Sequence, residues 1–285
     1  MNIFNNWLLY ILLYLVLATT FTQFYKIATR TLKKAGALTV LLQVMAGLTA
    51  LVLCPFFEFK FPTDIKVYLM LGLSIVFYAI TDRINTTVRS GIEASTFSML
   101  KQLSTTFMIF AGLIFLKEPF VVTKFIGAML IILSNVIVFY KKGSMKFDKY
   151  ILLGILANIS FSIALFLDVN ISEEFNLPFY VGLTIIIPAL LIAIFEKIRL
   201  SDIKNEFNTG NKKAILTTGI TWGLSIFLNL RAYQLGSVTI IAPLSALTVM
   251  LNVIVGYLFL KERDSLLRKI ISAILIIISI ILIKI

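Results

Sequence analysis

The chain has 285 residues, of which 59% are hydrophobic and only 14% charged, with 26 Lys and Arg against 14 Asp and Glu, no histidine and one cysteine. A soluble domain carries roughly 25% charged residues because its surface faces water; at a mean hydropathy of +0.99 this chain lacks the side chains to coat a water-soluble particle. The missing histidine and the lone Cys54 exclude His-based metal centres, catalytic triads, His proton relays, an internal disulfide and zinc sites, so neither a metal nor a cofactor is expected.

A spanning helix needs roughly 20 predominantly apolar residues to cross a hydrocarbon core about 30 Å thick. The first such run, 7–25, follows an N-terminal stretch without basic residues and is longer than a signal-peptide core, so it reads as an uncleaved first span. Runs 36–57, 66–89, 93–116 and 120–140 complete a first set of five. A second set covers 150–168, 177–195, 213–233, 237–260 and 266–283, with short connectors throughout. Continuous apolar runs, unlike the dyad alternation of a membrane barrel, select helices. The predicted fold is an all-α, multi-pass membrane protein of ten transmembrane helices. The lipid bilayer is its main partner, and a bacterial cytoplasmic membrane its expected location. The basic excess sits in connectors, where it meets phospholipid headgroups, and no basic patch with interleaved aromatics points to nucleic acid.

The two sets read as copies. Phe115-Leu116-Lys117-Glu118 closes the fourth run and Phe259-Leu260-Lys261-Glu262 the ninth, 144 positions later. The same offset pairs Leu100 with Leu244, Leu103 with Leu247, Gly112 with Gly256 and Asn85 with Asn229. Residues 1–142 and 149–285 are therefore expected to be repeats of one five-helix unit. Five is odd, so the second copy enters the membrane from the opposite side. Such inverted repeats are the usual basis of alternating access around a midplane site.

On these features the whole chain resembles the drug/metabolite transporter superfamily, of the EamA type. A further likeness is Ala232-Tyr233-Gln234-Leu235-Gly236-Ser237 leading to Ala242-Pro243-Leu244, similar to the family's Ala-x-x-x-Gly/Ser turn and Pro-containing ninth helix. The resemblance implies export of amino acids or other metabolites, or movement of nucleotide sugars or lipid-linked sugars, with both termini in the cytoplasm. Loop charge implies the reverse orientation. The odd-numbered connectors carry 19 Lys and Arg and the other face 6, with Lys101 inside a span. The positive-inside rule then places the termini outside.

Ionisable residues within hydrocarbon are costly and usually face an aqueous cavity or a partner. The third run carries Tyr78, Thr81, Asp82, Asn85, Thr86 and Arg89 at spacings of three and four, which put them on one helical face. Lys101 lies eight residues into the fourth run, roughly 12 Å along its axis. It is expected to line the cavity, paired with Asp82, Glu93 or a substrate anion, while Arg83 is expected to pair with Glu93 across the turn. The eighth run offers Thr218, Thr221, Trp222, Ser225, Asn229 and Tyr233 on one face, the first adds Tyr10 and Tyr14, and the sixth Asn158 and Ser162. The expected substrate-binding set is Tyr14, Tyr78, Asp82, Asn85, Arg89, Lys101, Trp222, Ser225 and Asn229. Helix packing is the competing role for each Ser and Thr. Pro188 and Pro243 are read as interruptions of helices seven and nine. Glu118 and Glu262 read as interfacial end signals, and Asp168, Glu173 and Glu174 as a solvated loop.

The expected function is secondary-active transport of a small organic solute, an amino acid or similar metabolite bearing a carboxylate, by alternating access. Asp82 and Glu93 are the candidates for proton coupling, since a carboxyl group removed from water can hold a proton in the working pH range. The alternative is a flippase for a lipid-linked sugar or phosphate. No Gly-x-x-x-x-Gly-Lys-Ser/Thr loop supports a primary pump, and isolated carboxylates without His do not make an enzyme. A monomer or homodimer is expected.

Overall fold

The computed structural model describes residues 6–107, 110, 121–141, 144–145, 148–168, 171–236 and 238–284. Helices α1 (Trp7–Ala28), α2 (Ala35–Leu51), α3 (Ile65–Gly91) and α4 (Ala94–Leu100) are followed by α5 (Val122–Phe139). The second half holds α6 (Lys149–Asp168), α7 (Leu177–Phe195), α8 (Leu200–Thr209), α9 (Lys212–Leu235), α10 (Val238–Phe259) and α11 (Leu266–Lys284). A two-residue hairpin, Tyr140–Lys141 with Ser144–Met145, lies between the halves. Among the described residues six helices are long and apolar enough to cross a membrane, and two further apolar helices, Val122–Val138 and Leu244–Phe259, are shorter.

The helix starts follow local chemistry. Side chains of Asn6, Asp64, Asn176 and Asn211 accept backbone N–H groups in the first turns of α1, α3, α7 and α9, and Asp148 does so for α6. Each satisfies a donor that the helix itself leaves without an acceptor. The core pattern is inverted relative to a soluble protein. Thr39, Gln43, Ser74 and Thr86 are fully buried, whereas Val16 is 62% and Leu69 68% exposed. A surface of Leu, Val and Ile over an interior of hydroxyls and amides suits a hydrocarbon surround, where every polar group must be satisfied internally.

Packing interleaves the two halves. α1 lies chiefly on α9 and α10, α2 on α7 and α9, α3 on α6, and α5 on α11. Exchanging the halves turns the α1–α9 pair into the α6–α3 pair and maps α2–α7 and α5–α11 onto themselves. Close approach helps where α9 crosses α2: a Cβ on Gly223 of α9 would collide with the backbone of Ala46 in α2.

Several expectations need correction. The connector after α7 is not merely short coil, because Leu200–Thr209 forms a polar, amphipathic helix outside the apolar runs. The fourth run is not one regular helix. α4 stops at Leu100, Lys101 and Gln102 form a turn, and helix resumes over 103–107. Pro188 does not interrupt the seventh helix, which runs unbroken from Leu177 to Phe195, and α10 likewise continues through position 243. Glu118 and the Asp168 side chain lie outside the described residues.

Candidate functional site

A cavity of about 970 Å³ lies between the halves. All nine residues of the expected binding set line it: Tyr14 from α1, Tyr78, Asp82, Asn85 and Arg89 from α3, Lys101 from the turn after α4, and Trp222, Ser225 and Asn229 from α9. The α3 residues converge because the stripe is helical and the helix does not fray before Gly91. Thr86, although in the same stripe, is buried elsewhere. Its hydroxyl sits 2.6 Å from both the Tyr25 and Thr39 hydroxyls, joining α1, α2 and α3. Asn158 and Ser162 also serve packing: Asn158 bonds to the Gly154 carbonyl and Ser162 to those of Asn158 and Ser104. Thr218 and Thr221 bond back along α9.

The deep wall carries three ionisable groups. The Asp82 carboxylate accepts the Gln43 amide at 2.9 Å. Lys101 occupies the break in the fourth span, with its ammonium 5.3 Å from the Phe161 ring centroid, and among the described residues it forms no ion pair. Arg89 is 4% exposed. Its guanidinium lies 3.7 Å from the Phe97 ring centroid, 4.5 Å from Tyr25 and 5.0 Å from Phe21, and among the described residues its Nε and Nη1 have no acceptor. Ser245, 144 positions after Lys101, also lines the cavity and donates to Asn229 at 3.2 Å.

Two expected pairings do not form. Arg83 binds Glu196, just beyond α7, and its Nη1 donates to Thr87 at 2.8 Å. Eight residues, about 12 Å of axis, separate it from the end of α3, too far to meet Glu93. Glu93 instead pairs with the buried Lys269 of α11 at 2.6 Å and does not line the cavity. Glu262 is more than an interfacial end signal. It is 6% exposed and its carboxylate accepts the Ala94 N–H at 2.6 Å, the Ser95 N–H at 3.1 Å and the Ser95 hydroxyl at 2.5 Å.

These contacts cluster on one face. There Lys26 also donates to the last carbonyls of α3, those of Arg89 and Ser90, at 2.8 and 3.2 Å. Lys34 pairs with Asp202 at 2.8 Å, and Glu206 accepts the backbone N–H groups of Lys33 and Lys34. The opposite end of the cavity is lined by Lys124 near the start of α5, Ser172 and Glu173 before α7, and Tyr233 and Gln234 at the end of α9. Charged contacts thus gather beyond the cavity at the α3–α4 turn, whereas Lys124, Ser172, Glu173, Tyr233 and Gln234 line its other end. Sequence reasoning missed the rings of Phe21, Phe97 and Phe161, the Gln43 partner of Asp82, and the wall residues Gln102 and Asn252. Each sits in an ordinary apolar or neutral helical setting, and only the fold brings it to the site.

Residues 148–285 match the EamA-like transporter family. No curated protein matches the chain. Among 21 matching chains of solved structures is one titled only "Crystal structure of protein". It is 12% identical, with a TM-score of 0.61 over 94% of this chain and 95% of that one. At that identity the likeness speaks to the fold alone.

Proposed function

We propose that the chain is a multi-pass membrane transporter of the drug/metabolite superfamily, a reading supported by the match of residues 148–285 to the EamA-like transporter family, and that it moves a small carboxylate-bearing organic solute by alternating access. The observation that carries this reading is the convergence of Tyr14, Asp82, Arg89, Lys101, Trp222 and Asn229, from four spans, on one cavity, with the charged contacts at the α3–α4 turn read as its closed face. Residues 1–142 and 149–285 are the inverted repeats, which accounts for helix pairs that interconvert when the halves are exchanged. Lys101 and Arg89 hold the anionic group, the tyrosine and tryptophan rings cover the body, and Asn85, Ser225 and Asn229 orient it. Asp82 is the proposed proton carrier; Glu93, outside the cavity, is not.

Transport by purified protein in liposomes tests this. Labelled carboxylate-bearing metabolites, chosen from a thermal-shift screen, should exchange across the membrane. Lys101→Met should cut exchange at least about tenfold while leaving the melting profile intact; unchanged transport removes Lys101 from the site. Asp82→Asn should abolish uphill, proton-driven movement and preserve exchange of solute for solute.

A further inference from the structure

Among the described residues Arg89 has no ion-pair partner. A buried guanidinium with no carboxylate partner is costly, and this one is nearly out of contact with water. The rings of Phe97, Tyr25 and Phe21 attract it through their faces, but aromatic faces carry no net charge. The rings supply no hydrogen-bond acceptor in the plane of the guanidinium, so its N–H groups stay available for one. Among the described residues its Nε and Nη1 have none. Lys101 lies on the same wall, also without an ion pair among the described residues.

The charge sum on that wall is decisive. Among the described residues of that wall Arg89 and Lys101 face a single carboxylate, Asp82, which already accepts the Gln43 amide. At the mouth, Lys124 and Glu173 offset each other. The excess is positive whether Asp82 is ionised or carries a proton. Alternating access requires the loaded site to be closed off from water on both faces, and an uncompensated charge makes closure unfavourable. A zwitterion brings no net charge and leaves the excess in place. A monoanion cancels it when Asp82 is ionised and halves it when Asp82 carries a proton.

Resting on the transporter reading and deepening it, we infer that the solute is a net anion with a flat apolar body, an arylalkanoate-type carboxylate, and that zwitterionic α-amino acids are discriminated against. Its carboxylate docks on the caged Arg89 edge and on Lys101. Its ring lies among Phe21, Trp222 and Phe161, where stacking and edge contacts favour a planar group. An α-amino acid placed the same way puts its ammonium on the carbon that bears the carboxylate, beside two cations. Asp82 sits two helical turns earlier on α3 than Arg89, roughly 10 Å along the axis, and is already engaged by Gln43.

The test uses three ligands of one shape: 3-phenylpropionate, phenylalanine and phenethylamine, with net charges of −1, 0 and +1. Trp222 reports binding, since its ring lies 5.4 Å from Phe21 and 5.8 Å from Tyr25, two rings of the Arg89 cage. Trp7→Phe leaves it as the single tryptophan of the full-length protein. 3-Phenylpropionate should change its emission saturably, and the other two should bind at least about tenfold more weakly. Arg89→Met should remove that preference. Equal binding of phenylalanine, or no saturable binding by any of the three, overturns the inference. Neither result touches the Lys101-dependent exchange in liposomes, so a protein that fails here but exchanges solute keeps the transporter reading and loses only this ligand class.

Discussion

The carboxylate of Glu262, at the end of the Phe-Leu-Lys-Glu motif, holds both the backbone N–H and the hydroxyl of Ser95 in the first turn of α4. α4 is seven residues long, and Lys101 is its C-terminal cap. One end of this short helix is therefore clamped to the second half of the chain, while the other carries a cavity cation. Glu262→Ala leaves buried donors without an acceptor, at about 1–3 kcal/mol each. That should shift the closed face toward opening by about tenfold or more. With Cys54→Ser and Ser98→Cys, labelling of Ser98→Cys by an impermeant maleimide from the closed face should speed up accordingly. Labelling at the wild-type rate would sink the clamp.

Thr86 and Asp82 stand one turn apart on α3 and should behave oppositely. Thr86→Val removes the hydroxyl that joins Tyr25 and Thr39, so stability should fall by about 1–3 kcal/mol. Transport per folded molecule should be unchanged, since Thr86 does not line the cavity. Asp82→Asn should melt near wild type and lose proton-driven flux. Thermal melting in detergent and liposome uptake, measured on both variants, separate packing from transport.

Asp202 of α8 supplies a pH signature. The Lys34 ammonium, and then the Arg199 N–H, hold its carboxyl below the ordinary carboxylate range. A depressed native value stabilises the fold fully above the ordinary value of about 3.9 and loses that contribution as pH falls through the native one. Asp202→Asn should therefore melt below wild type near neutrality, with the gap closing as the pH is lowered past about 4. A gap that is constant across this range would show that the ion pair contributes nothing.

Gly223→Ala should destabilise by about 1–3 kcal/mol through overpacking, because its new methyl meets the Ala46 backbone where α9 crosses α2. Gly72, with open space around its Cβ position, is the control. Equal melting of the two variants would refute the close approach.

The helical plan was legible because hydrocarbon admits few alternatives, and apolar runs announce themselves. The stripe on α3 was legible for the same reason: in a chain so poor in charge, Asp82, Arg89 and Lys101 stand out. What could not be read is what depends on contacts distant in sequence. Glu262 looks like an interfacial end signal until the fold brings α4 to it, 167 residues away from its Ser95 partner. Arg83 and Glu93 are neighbours in sequence and partners of other helices in space. The cage around Arg89 is built of phenylalanine and tyrosine, which in a sequence this hydrophobic carry no signal at all.

The pairing of α2 with α7 is fastened at both ends. Beyond α2, the Asn176 amide donates to the carbonyls of Phe57 and Glu58 at 3.1 and 3.0 Å. Before it, α8 hooks the Lys33–Lys34 backbone through Glu206. If the proposed alternating access holds, these two rods are its axle: cross-linking them should leave turnover intact, whereas a covalent bridge from α4 to α10 should freeze the carrier with one door shut.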